Sequence, residues 1–149
     1  MIKAMIKNKL TIVLIIVALV LLICVRVFET ELFYDPFISF YKSEYFHKPL
    51  PSFELSRLLT NLVFRFSINA LLSLSILYFL FADITILKVS AYLYLGIGVV
   101  LVMVFSCYLV CYNSPDYLVL FYIRRFLIQP VLLVLFVPAF YYQKKITNK

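Results

Sequence analysis

Residues Leu10–Val25 read LTIVLIIVALVLLICV, an uncharged apolar run that lies between Lys9 and Arg26. A helix that crosses a bilayer needs about 20 mostly apolar residues, so this stretch with its flanks is long enough to span. No small-x-small cleavage site ends the run, which indicates a retained anchor rather than a removed signal peptide. We therefore predict a first spanning helix over residues 9–28.

Three further apolar runs continue the pattern and predict spans over residues 62–82, 89–112 and 120–143. The alternating pattern of a barrel strand is absent, so helices are the predicted form. Soluble domains are roughly 45–50% apolar and about 25% charged, whereas this chain is 65% hydrophobic and 14% charged. We predict an all-α fold, an integral membrane bundle of four transmembrane helices that forms a single membrane domain over 1–149.

The basic residues predict the orientation of these spans. Lysines cluster near both termini and one lies at Lys88, whereas the connection at 113–116 has none. By the positive-inside rule both termini are cytoplasmic, the spans cross the inner membrane, and residues 29–51 form an outer loop. This placement accounts for the net charge of +7. Because the basic residues do not cluster on an aromatic surface, nucleic acid is not a predicted partner.

The outer loop carries the signal of a short amphipathic helix. Asp35 is a typical N-cap, and Pro36 suits the first helical position. The aromatic residues that follow at helical spacing are Phe37, Phe40 and Tyr41. Aromatic rings of this kind lie well at headgroup depth. Two interpretations stay open: the helix packs on the outer surface of the bundle, or it is a lid or docking element for a partner.

A ridge of polar residues runs along the second predicted span. Its members are Arg57, Asn61, Arg65, Asn69 and Ser73. Residues four positions apart share one face of a helix. Polar side chains that enter a span should face other helices rather than lipid. The ridge therefore predicts a polar contact inside the bundle.

Arg124 and Arg125 interrupt the fourth apolar run. Counting ~1.5 Å per residue from Lys144 places both near the outer boundary, level with Arg65. Arg125 shares a face with Gln129, so we predict that Arg125 points inward and that Arg124 anchors in headgroups. The candidate polar notch comprises Arg65, Asn61, Asn69, Arg124, Arg125 and Gln129.

Three interpretations of these arginines stay open. They anchor in outer headgroups, or they pair with acidic residues to hold the bundle together. The acidic candidates are Glu29, Glu31 and Asp116. Alternatively they form an outward-open basic pocket, because the planar donors of arginine suit phosphate and carboxylate. That pocket would bind or transport an anionic lipid or a lipid-linked glycan.

Residues that could carry chemistry are few. Cys24, Cys107 and Cys111 form no CxxC motif, and His47 is the single histidine, so neither a metal site nor a cofactor is predicted. A nucleophile needs a base within hydrogen-bond reach. The sequence indicates no such partner, so we predict no catalytic residue and no enzyme. A thiol-dependent membrane enzyme stays as the weaker alternative.

Several segments, taken in order, resemble one small membrane family. They are Tyr34–Phe37 (YDPF), Pro49–Pro51 (PLP), Asn61–Phe66 (NLVFRF) and Tyr122–Pro130 (YIRRFLIQP), the last continued by Val137–Gln143 (VPAFYYQ). Together they resemble the exosortase F system-associated membrane protein of flavobacteria and their relatives.

The resemblance implies a non-catalytic accessory membrane protein of an exosortase-type sorting or export system. Its implied partners are the exosortase, a transpeptidase-like membrane enzyme, or the sorted substrate of that enzyme. An exosortase carries its own catalytic cysteine and arginine. The present chain has no comparable cysteine motif, so those roles do not transfer to it.

Overall fold

The computed structural model describes residues 9–42, 52, 54–111 and 116–147. Within these ranges the chain forms helices and no strand, which confirms the all-α prediction. The helices are α1 (Lys9–Val27), α2 (Glu29–Leu32), α3 (Phe37–Lys42), α4 (Leu55–Phe81), α5 (Ile84–Cys111), α6 (Tyr117–Ile128) and α7 (Val131–Thr147).

Three of the described helices, α1, α4 and α5, are long and apolar enough to cross a membrane. The pair α6 and α7 passes the same test only when taken together, and it is bent by 61° at its break. The described residues thus offer three candidate spans, or four if the bent pair counts as one. Both α4 and α5 begin before the predicted spans, because polar residues such as Arg57 also lie in the helix.

Pro130 produces a full break between α6 and α7. Proline has no N–H to donate, and its ring disfavours the helical conformation in the residue before it. Gln129 accordingly has extended backbone angles, φ −108° and ψ 144°. The predicted span over 120–143 is therefore two helices rather than one continuous helix.

The surface of α1 is apolar almost all round. Its buried residues are only Ala18 and Leu22, which pack against α4 and α7. The exposed large side chains include Leu10, Val13, Ile16, Val20 and Ile23. Soluble monomers rarely expose contiguous apolar patches larger than a few hundred Å². A surface of this kind suggests a membrane protein.

The bundle has two ends with different contents. At the hairpin end, α4 and α5 are joined through Ala82, which takes a left-handed conformation with φ 41°, and Asp83. Asp83 accepts a hydrogen bond from the N–H of Thr85 at 2.9 Å and so begins α5. At the opposite end, the loop end, the short helices α2 and α3 lie over α4 and α6.

The predicted outer-loop helix is confirmed as α3, but its aromatic residues point into the bundle. Phe37 is 0% exposed and Phe40 is buried, and both pack with Leu58, Phe105 and Leu120 of α4, α5 and α6. Tyr41 is partly buried against the same cluster, and its hydroxyl donates to the carbonyl of Tyr117 at 3.0 Å.

The packing of α3 bears on the two interpretations of the loop. A side chain that is buried inside its own chain is not available to a partner. The burial of Phe37 and Phe40 therefore speaks against their docking role and agrees with the packing interpretation, whereas Tyr41 is partly exposed and lines a cavity, so its docking role stays a prediction. The predicted loop residues 43–51 lie outside the described ranges.

Candidate functional site

Arg124 and Asp35 form a buried ion pair that joins α6 to the start of α3. Arg124 is only 5% exposed. Its Nε donates to Asp35 Oδ2 at 3.0 Å, and its Nη2 donates to the same oxygen. The other oxygen, Oδ1, accepts the N–H of Phe37 at 3.1 Å. One carboxylate thus caps α3 and neutralises a buried guanidinium.

A second ion pair, between a buried arginine and a partly exposed glutamate, joins α4 to α2. Arg65 is 1% exposed, its Nη2 donates to Glu29, and its guanidinium lies 5.5 Å from the ring centre of Phe33. The pairing interpretation is therefore confirmed for Arg65 with Glu29. Asp116, another acidic candidate, instead accepts the N–H of Leu118 at the start of α6.

The structure reverses the predicted orientation of the two adjacent arginines. Arg124 is buried, whereas Arg125 is exposed and donates through Nε to Gln129 at 3.1 Å. Neighbouring residues of an α-helix point ~100° apart, so only one of the two can face the bundle. The prediction that Arg125 points inward and Arg124 anchors in headgroups is wrong. Arg125 and Gln129 do lie together as predicted, but α6 is rotated so that Arg124, not Arg125, faces the bundle.

The two asparagines of the predicted notch bind backbone groups of other elements. Asn69 is buried and donates to the carbonyl of Ile128 at 3.0 Å. That carbonyl lies at the break, where the helix does not continue to supply its usual donor. Asn61 accepts the N–H of Tyr34 at 3.2 Å, and Arg57 lies 4.4 Å from the centre of the Tyr34 ring. The polar ridge of α4 thus holds both the loop segment and the end of α6.

A basic recess opens at the loop end with a volume of about 330 Å³. Its charged lining consists of Arg26, Lys42, Arg124, Arg125 and Glu29. Arg124 is paired with Asp35, and Glu29 is paired with Arg65. Among the described residues, no ion pair is formed by the other three cations. The recess therefore carries an excess of positive charge toward any ligand that enters it.

An apolar groove of about 370 Å³ lies beside the recess, along α1. Leu19, Leu22 and Ile23 of α1 form one wall, and Leu133 and Val134 of α7 form the other. Arg65 and Asn69 of α4 also line the groove. Arg26 and Ile128 line both cavities, so the groove and the recess are direct neighbours.

The residues described here include no group of three histidine, cysteine or acidic side chains that could hold a metal ion. Cys107 and Cys111 are exposed on α5 and Cys24 is partly buried on α1, and all three are free thiols. His47 lies outside the described residues.

Sequence reasoning missed Asp35 as the partner of Arg124, because it assigned that residue only to the cap of α3. A carboxylate has two oxygens, and a cap uses one of them. The available signal was therefore an N-cap aspartate in a loop predicted to lie at the level of the arginines.

No family model, curated protein or solved structure matches the chain.

Proposed function

We propose that this chain is a non-catalytic accessory subunit of an exosortase-type protein sorting or export system. It crosses the inner membrane four times, with the bent α6–α7 pair as the fourth span and both termini in the cytoplasm. Its partner is the exosortase or the sorted substrate.

One observation carries this proposal: three segments behind the family resemblance are in mutual contact at the loop end. Asp35 of the first segment pairs with Arg124 of the last. Asn61 of the middle segment accepts the N–H of Tyr34. Segments far apart in sequence thus build one fixed surface, which is what a scaffold for another protein needs.

Copurification tests the accessory function. Full-length tagged protein from its own host, extracted in mild detergent, should retain the exosortase or a sorted protein. Arg125→Gln, which changes the exposed face of the loop end without touching a buried pair, should weaken the capture. Lys88→Gln, an exposed cation on α5, serves as the matched control. Absence of both partners from the wild-type sample would rule the accessory function out.

A reporter fusion tests the topology. A fluorescent protein that matures only in the cytoplasm, fused after Lys149, should be bright, because the cluster of lysines near this terminus favours the inner side. Alkaline phosphatase, which is active only outside, should be inactive at the same position. The reverse pair of signals contradicts the proposed orientation.

The basic recess favours a second candidate function, the binding of an anionic lipid or a lipid-linked glycan. The polar notch predicted from the sequence relied on Arg65 and Arg124 as well as Arg125. Arg65 and Arg124 are already paired with Glu29 and Asp35, so they are not the residues that would bind the anion. The available cations are Arg26, Lys42 and Arg125, which line the recess together. Their positive charge suits a phosphate group, and the planar guanidinium of each arginine can donate two hydrogen bonds to it.

Native mass spectrometry tests this second function. The purified protein should retain phosphatidylglycerol in preference to phosphatidylcholine, which carries no net charge. Lys42→Gln combined with Arg125→Gln should lower that preference severalfold, because each basic residue near an anionic surface adds roughly 1 kcal/mol of attraction. Lys88→Gln should leave it unchanged. Equal retention of the two lipids by the wild type contradicts the function.

A further inference from the structure

The apolar groove contains a buried guanidinium whose hydrogen-bonding capacity is only partly used. Arg65 lines the groove and is 1% exposed. Its Nη2 donates to Glu29, whereas its Nε and Nη1 have no hydrogen-bond partner in the part of the chain that the structure describes. A buried donor without an acceptor is unfavourable, so these atoms call for an acceptor that the described residues do not supply.

The chemistry of that acceptor follows from its surroundings. Glu29 already balances the charge of Arg65, so a second anion is not required at this position. The groove walls are aliphatic side chains of α1 and α7. A neutral oxygen attached to a hydrocarbon chain fits both conditions, and the ester carbonyl of an acyl lipid is such a group.

The shape of the site fits a single amphiphile. Along α1 the groove extends from Leu19 to Arg26, which corresponds to roughly 10 Å of helix. At Arg26 it meets the basic recess, where Lys42 and Arg125 also lie. Each cavity is within the range of about 300–1,000 Å³ that ligand sites occupy. The two neighbouring cavities therefore combine aliphatic walls, a position for a neutral acceptor at Arg65 and a cationic recess.

We propose that the groove and the recess together bind one anionic glycerophospholipid, an inference that rests on the anionic-lipid function above. Its acyl chain lies between α1 and α7 beside the break at Pro130. Its ester carbonyl accepts from Nε or Nη1 of Arg65; both atoms are covered in the structure, so a side chain of the groove shifts when the lipid binds. Its phosphate lies among Arg26, Lys42 and Arg125. A polyprenyl phosphate also carries an anionic phosphate but has no carboxylic ester carbonyl, so this site favours the acyl lipid.

Groove-filling variants test the position of the chain. Val134 lines the groove and is 70% exposed, so Val134→Trp fills the cavity without disturbing a buried pair. Leu135 is 57% exposed on the same helix and does not line the groove, so Leu135→Trp is the matched control. With the full-length protein in detergent and phosphatidylglycerol as the probe, native mass spectrometry should show roughly tenfold weaker retention for Val134→Trp alone.

Ile23→Trp repeats the groove test from α1, since Ile23 also lines the groove and is exposed. It keeps the inference testable if Val134→Trp does not fold. Wild-type retention in both folded variants overturns the groove assignment. Equal losses in Leu135→Trp overturn it as well, because the effect would then not be specific to the groove.

A change in the probe tests the role of Arg65 without altering the protein. The dialkyl ether analogue of phosphatidylglycerol keeps the charge and the chains but lacks the ester carbonyls. We expect it to bind severalfold more weakly than the ester lipid, and a polyprenyl phosphate to bind more weakly as well. Equal binding of the ester and ether lipids overturns the Arg65 contact.

The recess variants separate this inference from the function on which it rests. If Lys42→Gln with Arg125→Gln loses the lipid while both groove variants keep it, the headgroup function stands and the acyl groove is wrong. If neither set of variants changes retention, both are wrong. Loss in both sets, with Leu135→Trp unchanged, supports both.

Discussion

The loop end and the hairpin end are both joined by ion pairs, but the two sets of pairs differ in burial. At the loop end, Arg65 and Arg124 are both buried, and each donates to a carboxylate; Asp35, the partner of Arg124, is buried as well, whereas Glu29, the partner of Arg65, is partly exposed. At the hairpin end, Lys144 lies 3.6 Å from Asp83, and both side chains are partly exposed. Lys144 also donates to the carbonyl of Phe81 at 2.8 Å.

The difference shows how burial changes the role of the same chemical pair. Removing one partner of a buried pair leaves an uncompensated charge and typically costs about 3–5 kcal/mol. An exposed pair is screened by solvent and contributes little. The loop end is therefore fixed by its electrostatics, whereas the hairpin end is fixed mainly by the short connection through Ala82 and by apolar packing.

The largest effect should follow from Arg124→Ala. It leaves the nearly buried carboxylate of Asp35 without its cation, so we expect a loss of about 3–5 kcal/mol in the free energy of unfolding. Arg125→Ala, one residue away and exposed, should change stability by less than about 1 kcal/mol. Denaturant unfolding of both variants in detergent measures the contrast.

Equal losses in Arg124→Ala and Arg125→Ala would remove the distinction between the buried and the exposed arginine. The variant Asp35→Asn adds a further check, because the two single changes and their combination form a double-mutant cycle. A coupling energy near zero contradicts the ion pair.

An intermediate effect is expected in the middle of the bundle, where the described residues form no ion pair. A Cβ on Gly98 would overlap the ring of Phe66, whereas a Cβ on Gly96 meets nothing within 4 Å. Gly98→Ala should destabilise the α4–α5 contact by about 1–3 kcal/mol. Gly96→Ala should instead be neutral or stabilising by roughly 0.5–1 kcal/mol.

Thermal unfolding of the two glycine variants in the same detergent gives the comparison. The difference in stability between these two variants measures a steric effect alone, and the losses at the two ends of the bundle can be compared with it. A Gly98→Ala protein as stable as Gly96→Ala contradicts the close packing of Phe66.

The smallest effect should follow from Asp83→Asn at the hairpin end. The N–H of Thr85 and, to a lesser extent, the charge of Lys144 hold the pKa of Asp83 below its ordinary value of 3.8. A lowered pKa means that the charged form stabilises the fold above pH 3.8 and that this contribution is lost as the pH falls through the lowered pKa. Wild type and Asp83→Asn should therefore differ slightly at pH 7 and converge in strong acid.

Unfolding midpoints at pH 7 and at acidic pH check this result. A difference between wild type and variant that grows on acidification contradicts the sign. A loss at pH 7 as large as that of Arg124→Ala would mean that the two ends do not differ as described.

Patterns within one segment predicted its local structure well. The uncharged run after Lys9 predicted α1, and the four-residue spacing from Arg57 to Ser73 predicted a ridge whose inner members Arg65, Asn69 and Ser73 are buried. Asp35 and Pro36 predicted the start of α3. Periodicity and capping act over a few residues, so a single sequence contains them.

Features that depend on distant segments were predicted only in part. Asp35 and Arg124 are 89 positions apart, and no local pattern links them. Which of two adjacent arginines faces inward depends on the rotation of α6, which the break at Pro130 uncouples from α7. The burial of Phe37 depends on the loop folding back over α4, whereas the helical spacing of its rings fits a buried and an exposed helix equally well.

The bend between α6 and α7 has a consequence for the surrounding lipid. Helix α6 has 12 residues and is therefore roughly 18 Å long. Its axis makes an angle of 61° with the axis of α7. Measured along the direction of α7, α6 therefore extends only about half of its own length. In the proposed membrane setting, the α6–α7 side therefore offers a shorter hydrophobic wall than the side formed by α5. A bilayer becomes locally thinner next to a short hydrophobic surface. In this setting we expect the membrane to be thinner beside α6 and α7 than beside α5.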